Sequence, residues 1–177
     1  MKSALMVIDM QHGTYDAVNA ATQRRVLRNV KLLESAARKA GSPVVWATYV
    51  YNPRNSPRVE WGRYLLPDRQ GTKLVGGLKP IKGDLKVERS AYDCFQKSNL
   101  QAKLAKSGVK RLIICGLNTE QCVLTTAQHA YDACYDVNVV RDAVGTCAPE
   151  LHGPALKMIG EYFGKVVSMS QARGLMG

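Results

Sequence analysis

Apolar positions along the chain switch repeatedly between two spacings. Residues 4–9 (ALMVID) form an unbroken apolar run ending in an acid, the mark of a strand buried on both faces. From Asn19 to Ala40, Val26, Val30, Leu33 and Ala37 recur three and four residues apart, which predicts an amphipathic helix closed by Gly41. Pro43 then leads into VVWATYVY, a second strand rich in β-branched and aromatic residues. Residues 52–83 hold most of the prolines and many of the glycines with little periodicity, so they read as a functional loop rather than a linker. Residues 85–88 predict a short strand, and Ser98 to Gln101 has the capping-box pattern of a helix that Gly108 ends. Residues 110–115 (KRLIIC) predict another buried strand, with Gly116 at the turn after it. Thr119 can cap a helix to about Ala133, and residues 135–141 (YDVNVVR) return as a strand before Asp142-Ala143. Pro149 opens a last helix that Gly164 ends, and residues 165–169 (KVVSM) supply the final strand.

Strand and helix in alternation argue for an α/β fold, a parallel sheet with helices on both faces. No repeat, low-complexity stretch or boundary divides the chain, so residues 1–177 read as a single domain. Ligands bind beyond the carboxyl ends of such strands. That rule singles out Asp9, the residues following 85–88, and Gly116–Cys122.

Composition narrows the classes. An apolar fraction of 46% and a charged fraction of 22% are ordinary for a globular protein. No stretch approaches the roughly 18 uninterrupted apolar residues of a membrane span, and the start MKSALMVIDMQ lacks a signal-peptide cleavage pattern. The five cysteines have no paired CxxC spacing and read as reduced thiols in a cytoplasmic protein. The three histidines (His12, His129, His152) are far apart, so the sequence supports no metal site and implies no cofactor. The net charge of +11 comes from dispersed basic residues and few acids. Without basic runs or interleaved aromatics, a solvated surface is the better reading than nucleic-acid binding. Attraction of anionic substrates is secondary.

Two residues could carry chemistry. With Thr119 as N-cap, Cys122 falls in the first helical turn, where free N–H groups and the helix dipole lower a thiol's pKa and could hold an oxyanion. It could equally be a buried packing cysteine. Asp9 could be a general base or could cap a turn.

The segment GLNTEQCVLTTAQHAYDACYDVNVVRDAV (116–144) resembles the nucleophile region of the isochorismatase-like cysteine hydrolases. VIDMQ (7–11) resembles the family segment carrying a catalytic aspartate, GDLKVERSAYDCFQKSNL (83–100) the one carrying a catalytic lysine, and His152 followed later by Ala-Leu also fits. The likeness spans essentially the whole chain. It implies a Rossmann-like three-layer fold with a six-stranded, mostly parallel sheet, a homo-oligomer, and an Asp–Lys–Cys triad acting on a small-molecule substrate through an acyl intermediate. It also implies a cis peptide at Leu117–Asn118 that helps aim N–H groups, including that of Cys122, at the oxyanion. The departure is at the lysine. Aligned through Val87, Phe95, Ser98 and Leu100, that position is Arg89, whose planar head is always protonated and cannot act as a compact donor. A shift to Lys86 would spoil those matches and point the side chain to the other face. The site therefore reads as Asp9, Arg89 and Cys122, with Gln11, Tyr49, Trp61 and Tyr92 as pocket candidates. Cys94, Cys115, Cys134 and Cys147 read as packing or incidental thiols, and His129 as a surface or interface residue.

The expected activity is hydrolysis of an amide, carbamoyl or ureido C–N bond. The family's nicotinamidases carry a metal-binding D-x-H after the second strand. Here that stretch reads WATYVYNPRN, which argues against a nicotinamidase. Arg89 keeps open a weakly active or non-catalytic member that binds small molecules or serves as a scaffold.

Overall fold

The computed structural model describes residues 1–54 and 60–176, and for residues 60 and 61 the backbone only. The first strand, β1 (Ser3–Ile8), is buried at all six positions. Its side chains alternate between faces: Ala4, Met6 and Ile8 enter one apolar core, Leu5 and Val7 the other. A short helix α1 (His12–Tyr15) follows, then the long α2 (Ala20–Lys39), whose N-cap Asn19 accepts the Thr22 N–H at 3.0 Å. β2 (Val44–Tyr49), β3 (Leu85–Arg89), α3 (Leu100–Lys106) and β4 (Arg111–Leu117) come next. A π-helical turn (Thr119–Val123) runs into α4 (Leu124–Asp132), and β5 (Asp136–Gly145) follows. The chain ends with α5 (Pro149–Met158), a second π-helical turn (Ile159–Phe163), β6 (Lys165–Val167) and α6 (Met169–Gly174).

The strands form one six-stranded sheet in the order β3-β2-β1-β4-β5-β6, and every neighbouring pair is parallel. Val26, Val30, Leu33 and Ala37 of α2, with Ala172 of α6, cover one face. Leu100 and Leu104 of α3, with Ala127 and Ala130 of α4, cover the other. The chain builds outward from β1 to β3, then returns to place β4 on β1's other side. The cleft between β1 and β4 is thus the point where strand order reverses, and there the parallel sheet splays its loops apart to admit a ligand. Among the described residues no helix is long and apolar enough to cross a membrane.

Several boundaries differ from expectation for local reasons. β4 continues through Gly116, which adopts φ +114 at an irregularity in the pairing with β5. A Cβ there would lie 1.9 Å from the Ile8 carbonyl oxygen, so only glycine lets β4 approach β1 so closely. The capping box at Ser98 does not form: its hydroxyl donates to the Cys94 carbonyl at 2.6 Å and accepts the Leu100 N–H, and α3 begins one residue past Asn99. Thr119 is not a cap but the first residue of the π-helical turn, with Asn118 as its N-cap. β5 runs four residues past Arg141 because Val144 and Gly145 still pair with Gly116 and Leu117 of β4, and β6 stops at Val167 so that Ser168 can cap α6. The segment after β2 holds 3₁₀ turns at Glu60–Leu65 and Gln70–Thr72.

Candidate active site

Asp9 follows the last residue of β1 in a left-handed backbone conformation, φ 49, which a short polar side chain tolerates. Its backbone is pinned on two sides: its N–H donates to Ala47 at 2.9 Å, and the Thr14 hydroxyl donates to its carbonyl at 2.5 Å. That hydroxyl also lies 3.0 Å from the Gln11 carbonyl. The left-handed turn aims the carboxylate back across the strand ends instead of out to water.

There it meets Arg89, the last residue of β3. The two guanidinium nitrogens donate to the two carboxylate oxygens at 2.6 and 2.7 Å, in a fork with side chains 0% and 1% exposed. Desolvation alone would lower the guanidinium pKa. The charge of Asp9 and its hydrogen bonds reverse this and hold it well above its ordinary value. The ring of Tyr49 packs 5.2 Å from the guanidinium carbon, and the Tyr92 carbonyl accepts from the same group at 3.4 Å. Lys86, the alternative cation, sits on the exposed side of β3.

Cys122 is the fourth residue of the π-helical turn and 5% exposed. Its thiol shares a cavity with the Asp9 carboxylate. Desolvation first, and the negative charge of Asp9 second, hold the thiol well above its ordinary pKa, with Arg89 pulling the other way. This corrects the expectation of a lowered thiol pKa: a helix terminus helps an anion by its partial charge, but here burial outweighs it. The peptide bond before the turn, Leu117–Asn118, is cis. Thr119 locks the turn: its hydroxyl donates to the Gly145 carbonyl at 3.0 Å, so the His152 Nδ1 at 2.9 Å must be a donor to it.

Asp9 and Cys122 share a cavity of about 120 Å³ with Gly13, Thr14, Ala17, Tyr49, Asn118, Gln121 and Cys147. That is small beside the roughly 300–1,000 Å³ of drug-sized ligand pockets. A larger groove of about 780 Å³ runs along β3 past Lys86, Lys97 and Lys103, but it holds none of Asp9, Arg89 and Cys122. Chemistry, not size, marks the smaller cavity as the site.

Other expected residues fall elsewhere. Gln11 is not a pocket wall. Its amide donates to the carbonyls of Tyr49 and Thr72, both at 3.0 Å, and its oxygen accepts the Tyr49 N–H at 2.8 Å. All its bonding reach goes into strapping the end of β1 to β2 and to the 70–72 turn. Tyr49 does line the cavity, whereas Tyr92 reaches the site through its carbonyl. Trp61 belongs to the first 3₁₀ turn, and its side chain lies outside the described residues. Cys94 and Cys115 are buried, and burial pushes the Cys94 thiol up to about 11. Cys134 and Cys147 are exposed rather than packed, and Cys147 stands at the cavity. His129 stacks on Phe95 at 4.5 Å and contacts Asp93 at 2.7 Å. Gln121, inside the Gly116–Cys122 stretch, lines the cavity too, as do Thr14 and Cys147, neither of them an expected pocket residue. The strand-end rule applied to β5 would have pointed to Cys147, whereas no sequence pattern marks Thr14. Among the described residues no group of three or more His, Cys, Asp or Glu side chains is placed to hold a metal ion.

Known proteins agree with this architecture. The chain is 29% identical over 177 residues to nicotinamidase 3 of Arabidopsis thaliana, covering 97% of this chain and 87% of that one. It is 28% identical to a probable inactive nicotinamidase of the same plant, covering 85% and 84%. The crystal structure of N-carbamoylsarcosine amidase from Thermoplasma acidophilum superposes with a TM-score of 0.83 at 25% identity, covering 95% and 96%. The family model for the isochorismatase domain matches residues 3–171, and the chain belongs to the isochorismatase family.

Proposed function

We propose that this protein is a cysteine hydrolase that cleaves the C–N bond of a small amide, carbamoyl or ureido compound through an acyl intermediate on Cys122. The observation that carries the reading is that Cys122 and Asp9 line one small cavity, close enough for the carboxylate charge to act on the thiol. A thiol held above its ordinary pKa rests protonated, so its proton leaves during attack rather than before it. Asp9 takes that proton as sulfur bonds to the substrate carbonyl carbon. Arg89 occupies one lone pair on each carboxylate oxygen, and the remaining lone pairs are open to the thiol. The carbonyl electrons move onto oxygen, where the Cys122 N–H meets them; the Gln121 and Val123 N–H groups are already spent on the Asn118 carbonyl. As the C–N bond breaks, Asp9 returns the proton to the departing nitrogen. Water then attacks the thioester, gives its proton to Asp9, and restores the thiol. Arg89 exchanges no proton and orients the base. Free thiols at all five cysteines suit a reducing cytoplasm.

The test is Cys122→Ala with a panel of amides and ureides, together with mass spectrometry of the wild type under turnover. The expected outcome is loss of hydrolysis in the variant and an acyl adduct on Cys122 in the wild type. Unchanged turnover by Cys122→Ala removes the covalent mechanism.

One observation favours a second reading, a non-catalytic small-molecule binder or scaffold. The two-bond fork from Arg89 occupies the base, and a relative is described as probably inactive. Arg89→Lys discriminates. Activity present only in the lysine variant supports the binder, and a working wild type rejects it.

A further inference from the structure

The mechanism uses the backbone around Asn118 and leaves its side chain idle. Asn118 holds the N-cap position of the nucleophile turn, where an asparagine oxygen ordinarily accepts a turn N–H, yet it makes no such bond. The residue is 9% exposed, its Oδ1 is buried without a hydrogen-bond partner, and it lines the cavity beside Asp9 and Cys122. A buried acceptor left unpaired forfeits its hydration for nothing, so such groups in native proteins are nearly always satisfied. At a substrate cavity the missing partner is the substrate.

The rest of the lining says what that partner carries. The Thr14 hydroxyl donates to the Asp9 carbonyl, and the Tyr49 hydroxyl donates to Ser90 at 3.4 Å. Asp9 adds two acceptor oxygens. Among the described lining residues none is a cation, because Arg89 lies behind Asp9 and spends its charge there. The net charge of +11 draws anions to the outer surface, but within the cavity an anion would lose hydration and face a carboxylate. The Asn118 and Gln121 amides bring donors as well as acceptors to the lining, but the atom left buried without a partner is the Asn118 acceptor oxygen, and it asks for an N–H donor.

We infer that Asn118 Oδ1 accepts a hydrogen bond from the N–H of the scissile group, selecting small neutral carboxamides and ureides over esters and carboxylates. This rests on the hydrolase reading and names the residue that selects its substrate. No cap bond is lost when the side chain is truncated, so Asn118→Ala keeps the fold.

The experiment compares propionamide with methyl propionate in turnover by wild type and Asn118→Ala. The amide-to-ester ratio of kcat/KM is expected to fall roughly tenfold or more in the variant, the selectivity of a site built to pair a substrate N–H. A ratio that stays constant, including equal loss on both substrates, overturns the assignment. A second arm needs no chemistry: calorimetry of Cys122→Ala, with and without Asn118→Ala, against propionamide and N,N-dimethylpropionamide. Preference for propionamide that vanishes with Asn118 supports the inference even if the wild type hydrolyses nothing, in which case only the hydrolase reading fails. No preference, or no binding of either probe, overturns it.

Discussion

Arg89→Met removes one half of a buried ion pair whose two hydrogen bonds measure 2.6 and 2.7 Å. The effect to expect is not the worth of the pair but the cost of leaving the Asp9 carboxylate alone where it is 1% exposed. Stranding one partner of such a pair costs about 3–5 kcal/mol. Set against a total stability of about 5–15 kcal/mol, that is a large share. For a domain of this size it lowers the thermal midpoint by roughly 6–20 °C. Arg89→Lys keeps the charge but not the planar fork, and should fall between methionine and wild type. The decisive measurement is the cycle with Asp9→Asn, by urea unfolding at neutral pH. In Arg89→Met/Asp9→Asn no charge is stranded, so the double variant should be more stable than Arg89→Met alone, with a coupling of about 1–3 kcal/mol. Arg89→Met within about 1 kcal/mol of wild type, or strictly additive losses, would refute the reasoning.

Two further outcomes follow from burial. A bulky aromatic disulfide reagent should titrate two of the five thiols quickly in the native protein, Cys134 and Cys147, and all five after unfolding; rapid modification of Cys122 at neutral pH contradicts its raised pKa. His152 is held below its ordinary pKa of 6.5 by desolvation and then by Arg25. A histidine whose pKa is lowered on folding takes up its proton more readily when unfolded. Its contribution is therefore whole above pH 6.5 and is lost as pH falls below that toward the lowered value. The urea midpoint of His152→Gln should accordingly decline less than wild type between pH 7 and pH 5, and parallel curves would discount the group.

The order of strands and helices was legible because near neighbours carry it. The unbroken run of β1, the three-and-four spacing of α2 and the stop at Gly41 each need only a few adjacent residues to be read. The strand-end rule then brought Asp9, Arg89 and Cys122 to one edge of the sheet, and the family resemblance gave them roles. Gly116 shows where this reasoning runs short. Its glycine was visible, but the Ile8 carbonyl that demands it lies more than a hundred residues earlier and becomes a neighbour only when β4 pairs with β1.

Sequence alone therefore determined the α/β alternation and which side chains stand at the strand ends. The tertiary structure alone decided what those side chains do to one another. It joined Arg89 to Asp9 across eighty residues of chain, spent Gln11 on backbone carbonyls, raised the Cys122 thiol where a helix terminus alone would have lowered it, and left Asn118 without a partner. The physical reason is one of range. Periodicity is a local property of the chain, whereas desolvation and pairing depend on what the finished fold packs around a group.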